Sequence, residues 1–318
     1  MTVTTYVLRR LVQLPLSLLF VSILIFSLMH IAPGDPVQVL VDAYASPQTI
    51  EALRREYQLD KSLPEQYLLW LQRLLHGDLG HSIRTGEPVL KMFFDHLAVS
   101  LTLTTLAMSL AIAIGIPVGI IAAFKQNTLL DHVCMFWAMV GLAIPNFALA
   151  LMLILVIALR LDLLPITGIG LVSFWRAPWP ATAPFILPMV ALGASQTGIL
   201  ARLLRSCIAD VLGENYITVA RAKGLTDYAV LIRHALKNAL IPVITIVAID
   251  YVFLLGSTIT IEYVFAIPGI GTVLIQAVYA RDFPVIQGCT LFIAVFYMLS
   301  NLATDLIYVY IDPRIRYV

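Results

Sequence analysis

The residues best placed to do chemistry in this sequence are ionisable or polar side chains inside long apolar runs. Asp250 is the clearest case, because eleven uncharged residues precede it back to Ala239. A charge at the centre of a bilayer costs roughly 2.5–3.5 kcal/mol on insertion scales, so this carboxylate should face water, a cation or a polar group. Two interpretations stand: Asp250 lines a path and contacts a cationic group, or it forms a structural pair with a neighbouring span or subunit.

Motifs for catalysis are missing from the sequence. It contains no H-E-x-x-H motif, no G-x-S-x-G motif and no G-x-x-x-x-G-K-[ST] phosphate-binding loop. His76 and His81 flank Asp78, which makes a metal site conceivable, but solvated turn residues explain this spacing better. The three cysteines are far apart and give neither a disulfide framework nor metal-ligand spacing. The pattern disfavours a membrane-embedded enzyme and predicts neither a catalytic residue nor a metal site.

Composition indicates that a membrane surrounds these residues. Of 318 residues, 60% are apolar and 12% are charged, and the mean hydropathy is +0.92. A soluble protein of this length needs far more charge to cover its surface. Runs able to cross a bilayer core of roughly 30 Å as helices occur at 11–32, 97–124, 133–159, 177–201, 238–261 and 283–311. The prediction is an all-α integral membrane protein with six transmembrane helices.

The distribution of Lys and Arg predicts the orientation of these helices. Eleven bases fall on the side of the two termini and of segment 202–237, against three in the short loops of the other side. This bias places both termini in the cytoplasm. The first run follows Arg9 and Arg10 as a signal peptide would, but it is too long for one and is taken as a retained anchor. The net charge of +1 gives no reason to expect a nucleic-acid partner.

Segment 33–96 is predicted to be a small extracytoplasmic helical subdomain. Apolar residues recur at helical spacing within it, Pro64 can begin a second helix, and G-D-L-G at 77–80 forces a turn. It would serve as a lid or as a landing surface for an external protein. The predicted division is therefore 1–32 for the N-terminal segment and first helix, 33–96 for this subdomain, 97–311 for the transmembrane core and 312–318 for the cytoplasmic C-terminus.

Segment 213–237 interrupts the apolar runs with more polar residues than a simple connector needs. It is long enough for two short helices joined at Gly224, a natural helix stop. Thr226 can cap the second helix, and Asp227 in its first turn faces the positive end of the helix dipole. The segment reads as a rigid helix–turn–helix that docks a soluble partner, with an amphipathic linker on the lipid surface as the alternative.

Small and apolar residues favour docking in this segment. Ala220 and Gly224, four residues apart, would leave a bare patch where another protein's backbone can approach. Leu225 and Val230 have the spacing of a hydrophobic staple that would stiffen the turn.

The same residues carry a family resemblance. T-V-A-R-A-K-G-L at 218–225 and H-A-L-K-N-A-L-I-P at 234–242 resemble the EAA loop of ABC-type importer permeases, in the form found in the dipeptide/oligopeptide/nickel family. Only Ala220, Gly224 and Leu236 fit the general EAA pattern. Further matches follow in order: A-P-G-D-P at 32–36, G-D-L-G-H-S at 77–82, I-P-N-F at 144–147, E-Y-V-F-A-I-P-G-I-G at 262–271, R-D-F-P-V-I-Q-G at 281–288 and N-L-A-T-D-L-I-Y at 301–308.

The resemblance implies the type I importer permease fold and a division of labour. Such permeases form a heterodimer with a second homologous permease, and an extracytoplasmic substrate-binding protein delivers the cargo. Two cytoplasmic ABC ATPase subunits carry ATP and Mg and bind the EAA loops, so no cofactor is expected in this chain. The residues expected to couple to the ATPases are Glu214, Ala220, Arg221, Lys223, Gly224 and Leu225. Asp250 and Asn146 are expected on the translocation path.

The stretch before the last span is a candidate external gate. Its residues are Glu262, Pro268, Gly269 and Gly271, which could form a re-entrant turn, although a simple surface turn explains them equally well. Asp305 is expected to form a structural pair with Arg202, Arg205 or Arg314. Pro117 and Pro145 lie within predicted spans and can kink them.

A secondary transporter or channel subunit is the principal alternative. Such proteins usually carry several intramembrane charges and often internal repeats, whereas this sequence has one central charge and no obvious repeat. The family handles short peptides, nickel and its chelates, and glutathione. A lone acid at Asp250 leans slightly toward a cationic or amine-bearing cargo.

Overall fold

The computed structural model describes residues 3–31, 47–56, 59–168 and 178–311, and these residues are mainly helical. In chain order the helices are α1 (Val3–Ile31), α2 (Pro47–Glu56), α3 (Leu63–Leu75), α4 (Val89–Phe124), α5 (Leu129–Ala143), α6 (Asn146–Leu153), α7 (Pro178–Leu212), α8 (Asn215–Ala222), α9 (Asp227–Val230), α10 (Leu236–Val264), α11 (Ile270–Ala280) and α12 (Phe283–Ile311). π-helical turns extend α6 through Ile154–Arg160 and join α9 to α10 through Leu231–Ala235.

The apolar helices match five of the six predicted spans, and the sixth is broken. The segments of α1, α4, α7, α9–α10 and α12 are each long and apolar enough to cross a membrane. The predicted span 133–159 is bent, because α5 and α6 meet at an angle of 99° around Ile144 and Pro145, the proline that was expected to kink it. Pro145 lacks the N–H that a continuing helix would need, which explains the break. Among the described residues, five helices are long and apolar enough to span a membrane, or six if the bent pair counts as one span.

Several helices extend beyond the apolar runs that predicted them. α4 begins at Val89 rather than 97, and α7 continues to Leu212 rather than ending at 201. Hydropathy marks only the part of a helix that suits lipid, whereas the helix itself continues through polar residues until a stop signal.

The chain divides into two compact units. One contains α1–α3, the start of α4, α11 and most of α12; the other contains the rest of α4, α5–α10 and the end of α12. The described part of the predicted 33–96 subdomain thus belongs to the same unit as α1.

In the second unit, α7 packs against α4 and α5 through glycines that bring backbones close together. A Cβ on Gly198 would lie 2.3 Å from the carbonyl oxygen of Ala138 on α5. A Cβ on Gly119 of α4 would lie 2.8 Å from the carbonyl oxygen of Ala201 on α7. Small residues at helix contacts allow this close approach, which drives helix association in lipid. The three helices therefore form a tightly packed base for the segment that follows α7.

In the first unit, a buried carboxylate joins two motifs that are distant in sequence. Asp282 is 4% exposed and accepts hydrogen bonds from the Ser82 hydroxyl at 2.5 Å and from the Ile83 N–H at 3.1 Å. The Arg84 N–H donates to the same carboxylate at 3.4 Å. These bonds hold the G-D-L-G-H-S turn against the start of α12. A buried carboxylate needs such donors because burial removes its water.

Some predictions fall outside the described residues. The A-P-G-D-P motif at 32–36 and Arg314 lie there, as does the side chain of Asp305. Arg205, one of the partners proposed for Asp305, is engaged elsewhere, as described below.

Candidate functional site

The segment between α7 and α10 folds as the predicted helix–turn–helix. Glu214 caps α8 with extended backbone geometry, and Gly224 ends the turn after α8 with φ +84°. Only glycine adopts this left-handed conformation without strain, which explains the stop. The Thr226 hydroxyl accepts a hydrogen bond from the Ala229 N–H at 3.3 Å, so the predicted cap of α9 is confirmed.

The second helix of this hairpin is tied directly to the apolar helix that follows it, as predicted. α9, the π-helical turn and α10 form one helical run from Asp227 to Val264. The Asn238 side-chain amide donates to the Tyr216 hydroxyl at 2.8 Å, which ties α8 to the start of α10. A displacement of the hairpin would therefore be carried directly into a membrane-spanning helix.

A small apolar core holds the hairpin together. Ile217, Ala220 and Val230 are buried in it, and Leu225 with Leu212 packs against them. The predicted contact across the turn by Leu225 is thus present.

The predicted bare patch at Ala220 and Gly224 is wrong for Ala220, which is only 6% exposed. Its methyl group fills the space between the helices of the hairpin, so it supports the hairpin from inside. Gly224 is exposed, and a Cβ there would meet no atom within 4 Å.

The outward surface of the hairpin is formed by residues that sequence reasoning missed. Val219 is 54% exposed and Tyr228 is 69% exposed, so the hairpin offers two apolar side chains to a partner. The helical periodicity could have predicted this exposure, since these two residues lie on the helix faces opposite to the buried Ile217 and Val230. Lys223 is exposed beside them, and Arg221 forms an ion pair with Asp227 across the turn at 3.2 Å.

Asp250 and Asn146 lie on two helices that pack against each other, α10 and α6. Asn146 is the first residue of α6, directly after the break at Pro145. Asp250 lies in the middle of α10, and its Oδ2 is buried without a hydrogen-bond partner among the described residues. The structural pair proposed for Asp250 is therefore not formed within the described part of this chain. Its neighbour Phe253 on the same helix is exposed.

The four residues assigned to an external loop do not lie in one loop. Glu262 is fully buried within the last turns of α10, and Gly271 is buried in the first turn of α11. Only Pro268 and Gly269 belong to the connection between these helices, and Gly269 precedes the first residue of α11. The apolar pattern continues through both helices, which is why hydropathy gave no boundary here.

A buried ion pair near the hairpin was also missed. Arg205 of α7 donates from two nitrogens to the two carboxylate oxygens of Asp131, each at 2.6 Å. Asp131 is 1% exposed and also accepts the Asn127 N–H at 2.9 Å. The predicted span began at residue 133, the start of the apolar run, so Asp131 was placed outside it and its partner was not sought. The pair locks the turn between α4 and α5 to α7, nine residues before the hairpin begins at Glu214.

The residues around Asp78 are used by local turns. The Asp78 carboxylate accepts the Gly80 N–H at 2.8 Å, and Nδ1 of His76 lies 2.8 Å from the Gln72 carbonyl oxygen. In the described ranges no group of three His, Cys, Asp or Glu residues is arranged to hold a metal ion.

Family models match almost the whole chain. Residues 115–317 match the binding-protein-dependent transport system inner membrane component, and residues 3–104 match the N-terminal part of such membrane components. The chain belongs to this family. It is a multi-pass inner-membrane component of a transport system and is not itself an enzyme.

Relatives of this inner membrane component cover its full length. It is 40% identical to the dipeptide transport system permease protein DppB of Alkalihalophilus pseudofirmus, over 98% of this chain and 99% of that protein. It is 36% identical to the protein of the same name from Escherichia coli K12, over 98% of each chain. A probable peptide ABC transporter permease of Sinorhizobium fredii is 36% identical over 98% of this chain and 99% of its own length.

Solved structures show the same fold at low sequence identity. An inward-facing methionine ABC transporter matches with TM-score 0.57 and 19% identity, over 70% of this chain and 97% of that one. An amino acid ABC transporter matches with TM-score 0.56 and 16% identity, over 69% of this chain and 94% of that one. The predicted all-α fold of ABC importer permeases is confirmed by these matches.

Proposed function

We propose that this chain is the permease subunit of an ABC importer for short peptides, and that its α8–α9 hairpin receives the motion of separate ATPase subunits. The peptide cargo is supported by relatives whose names specify dipeptide or peptide transport. The full assembly would contain a second homologous permease, two cytoplasmic ATPases and an extracytoplasmic binding protein. Both termini and the hairpin would lie in the cytoplasm, where the excess of Lys and Arg favours them.

One observation carries this proposal: the hairpin closes around its own apolar core and continues into a helix long and apolar enough to cross a membrane. A flexible linker would absorb a push from a partner, whereas a capped hairpin with its own apolar core transmits it. Its exposed apolar residues, Val219 and Tyr228, are the contacts that a partner groove would cover. Lys223 and the Arg221–Asp227 pair form a charged rim around them.

The coupling role is tested by placing a charge on this exposed surface. Tyr228→Asp should reduce both co-purification of the ATPase subunits and vanadate-sensitive uptake, because a carboxylate cannot enter an apolar contact without losing its water. Tyr228→Phe is the matched control, since it keeps the ring and should retain both activities. Because Tyr228 is exposed, neither change should disturb the hairpin core. Normal ATPase association and uptake in the Tyr228→Asp variant would refute the docking surface.

We further propose that Asp250 lines the translocation path and contacts the amino terminus of a peptide. A buried carboxylate oxygen without a partner in the described chain is poised to accept a cationic group. Asn146, on the helix that packs against α10, can supply an amide to the same path. A nickel ion, or a nickel chelate that keeps a net positive charge, is the second class of cargo that such an acid would accept.

The path role is tested by removing only the charge. Asp250→Asn should lower the uptake of a dipeptide with a free amino terminus more than that of its N-acetylated form, and Asp250→Glu should restore part of the difference. A pair with the second permease would instead reduce the yield of assembled complex and affect both peptides equally. Unchanged rate and selectivity would exclude a role in the path.

A further inference from the structure

Helix α3 is packed against the membrane-spanning part of α1. The Ser22 hydroxyl donates to the Leu19 carbonyl at 2.7 Å, so the Tyr67 hydroxyl, 2.9 Å from Ser22 Oγ, is the donor in that pair. The ring of Phe26 lies 5.4 Å from that of Tyr67 and 6.2 Å from that of Trp70. A polar bond and an aromatic cluster therefore fix α3 to one region of α1.

This region lies below the end of the apolar part of α1. The apolar segment includes Val12–Met29, and α1 itself continues to Ile31. At 1.5 Å per residue, Phe26 lies about 8 Å and Ser22 about 14 Å before the end of α1 at Ile31. A helix whose side chains reach those depths cannot stand clear of the membrane. Its Tyr and Trp are also the residues that favour the boundary between lipid and water.

The remaining surface of α3 is divided between apolar and polar residues. At 100° per residue, Pro64, Leu68, Leu71 and Leu75 share an arc of about 60°, next to the face that holds Tyr67 and Trp70. Leu68 is 61% exposed and Leu75 is 79% exposed, while Leu71 is half-buried, so the described chain leaves most of this stripe uncovered.

A second arc of α3, from about 80° to 200° relative to Pro64, carries Glu65, Gln66, Gln72 and Arg73, with Leu69 as its one apolar member. The Ser62 hydroxyl and N–H both donate to Glu65, which lowers the pKa of that carboxyl and keeps it ionised. This side also borders an open cleft of about 310 Å³ lined by Leu69, Gln72, Arg73, His76 and Asp78. The polar arc therefore requires water.

We propose that α3 is an interfacial helix that lies in the surface of the bilayer beside α1, with Leu68 and Leu75 inserted among the lipid chains. An apolar arc beside the contact with a membrane span, together with a mainly polar arc farther round the helix, is the arrangement that suits the lipid–water boundary. The segment predicted as a lid is thereby anchored to the membrane, and only its polar arc faces an external protein. The inference requires that α1 spans the bilayer and does not depend on the cargo or the ATPases.

The experiment measures the depth of single cysteines on α3 in the assembled transporter in lipid nanodiscs. The three native cysteines are first replaced by alanine, with retained uptake as the criterion of folding. In one sample bimane is attached to Leu68→Cys or Leu75→Cys, and its quenching by lipid with a doxyl group at carbon 5 is measured. In a parallel unlabelled sample, the rate at which the same free cysteine reacts with a membrane-impermeant maleimide is measured. Gln72→Cys on the polar arc is the matched water control, and Phe20→Cys on α1 is the lipid control.

The proposal expects Leu68→Cys and Leu75→Cys to lose fluorescence with doxyl lipid as Phe20→Cys does and to react slowly with the impermeant maleimide. Gln72→Cys should react rapidly and keep its fluorescence. Rapid reaction without quenching at the leucine positions would overturn the proposal and leave α3 in water. Protection from both reagents would also overturn it, because the stripe would then be covered by another protein.

Discussion

The contact between Gly198 and Ala138 gives a prediction whose sign depends on the structure. A Cβ added at Gly198 would lie 2.3 Å from the Ala138 carbonyl oxygen and 3.2 Å from its carbonyl carbon. A carbon–oxygen contact normally requires roughly 3.3 Å, so α5 and α7 would have to separate by about 1 Å. Overpacking of this kind costs about 1–3 kcal/mol, and the better helix propensity of alanine returns up to about 1 kcal/mol. Gly198→Ala should therefore destabilise the protein by roughly 1–2 kcal/mol.

Gly256→Ala is the matched control, because it makes the same chemical change on α10 where a Cβ would meet no atom within 4 Å. It should be neutral or stabilising by up to about 1 kcal/mol. The measurement is the free energy of unfolding of the purified complex, from titration of lipid–detergent micelles with SDS, with recovery on dilution as the test of reversibility. If Gly198→Ala were as stable as Gly256→Ala, α5 and α7 would not be in backbone contact, and the rigid base assigned to the hairpin would be lost.

Three further changes are informative in the same titration. Breaking a buried ion pair costs about 3–5 kcal/mol of unfolding free energy, and Asp131→Asn should cost somewhat less because a quarter of the Arg205 side chain is exposed. Exchanging the two residues should recover part of this stability. No recovery would argue against a direct pair. Asp282→Ala should lower the free energy of unfolding by about 2–3 kcal/mol, because it leaves three donors without an acceptor, whereas Ser82→Ala should lower it by about 1 kcal/mol. Equal losses would contradict the observed bonds. Gly224→Ala forces an alanine to adopt φ +84°, which costs about 1–2 kcal/mol. The strained turn should open more often, so amide hydrogen exchange at 215–230 should become faster. Unchanged exchange would mean that the turn is not held in that conformation.

Local features of the hairpin could be predicted because they depend on neighbouring residues alone. Gly224 stops a helix and Thr226 caps the next through interactions within a few residues, so sequence reading located both. The face on which Ala220 and Val219 lie could not be read in the same way. A small side chain suits either an open patch or a tight interior, and only the packing of Ile217 and Val230 around Ala220 decides between them.

The membrane class, the positions of most apolar helices and the family followed from the sequence by itself, because run length, hydropathy and ordered motifs are properties of consecutive residues. The tertiary structure decided which distant atoms meet. Asp282 and Ser82 are 200 residues apart in sequence, and Asp131 and Arg205 are 74 residues apart. No local sequence pattern predicts such pairs, since the residues around a charged or polar side chain do not show whether it has a distant partner. The bend at Pro145 and the contact of α3 with α1 have the same origin, because the direction of a helix after a break is set by what it packs against.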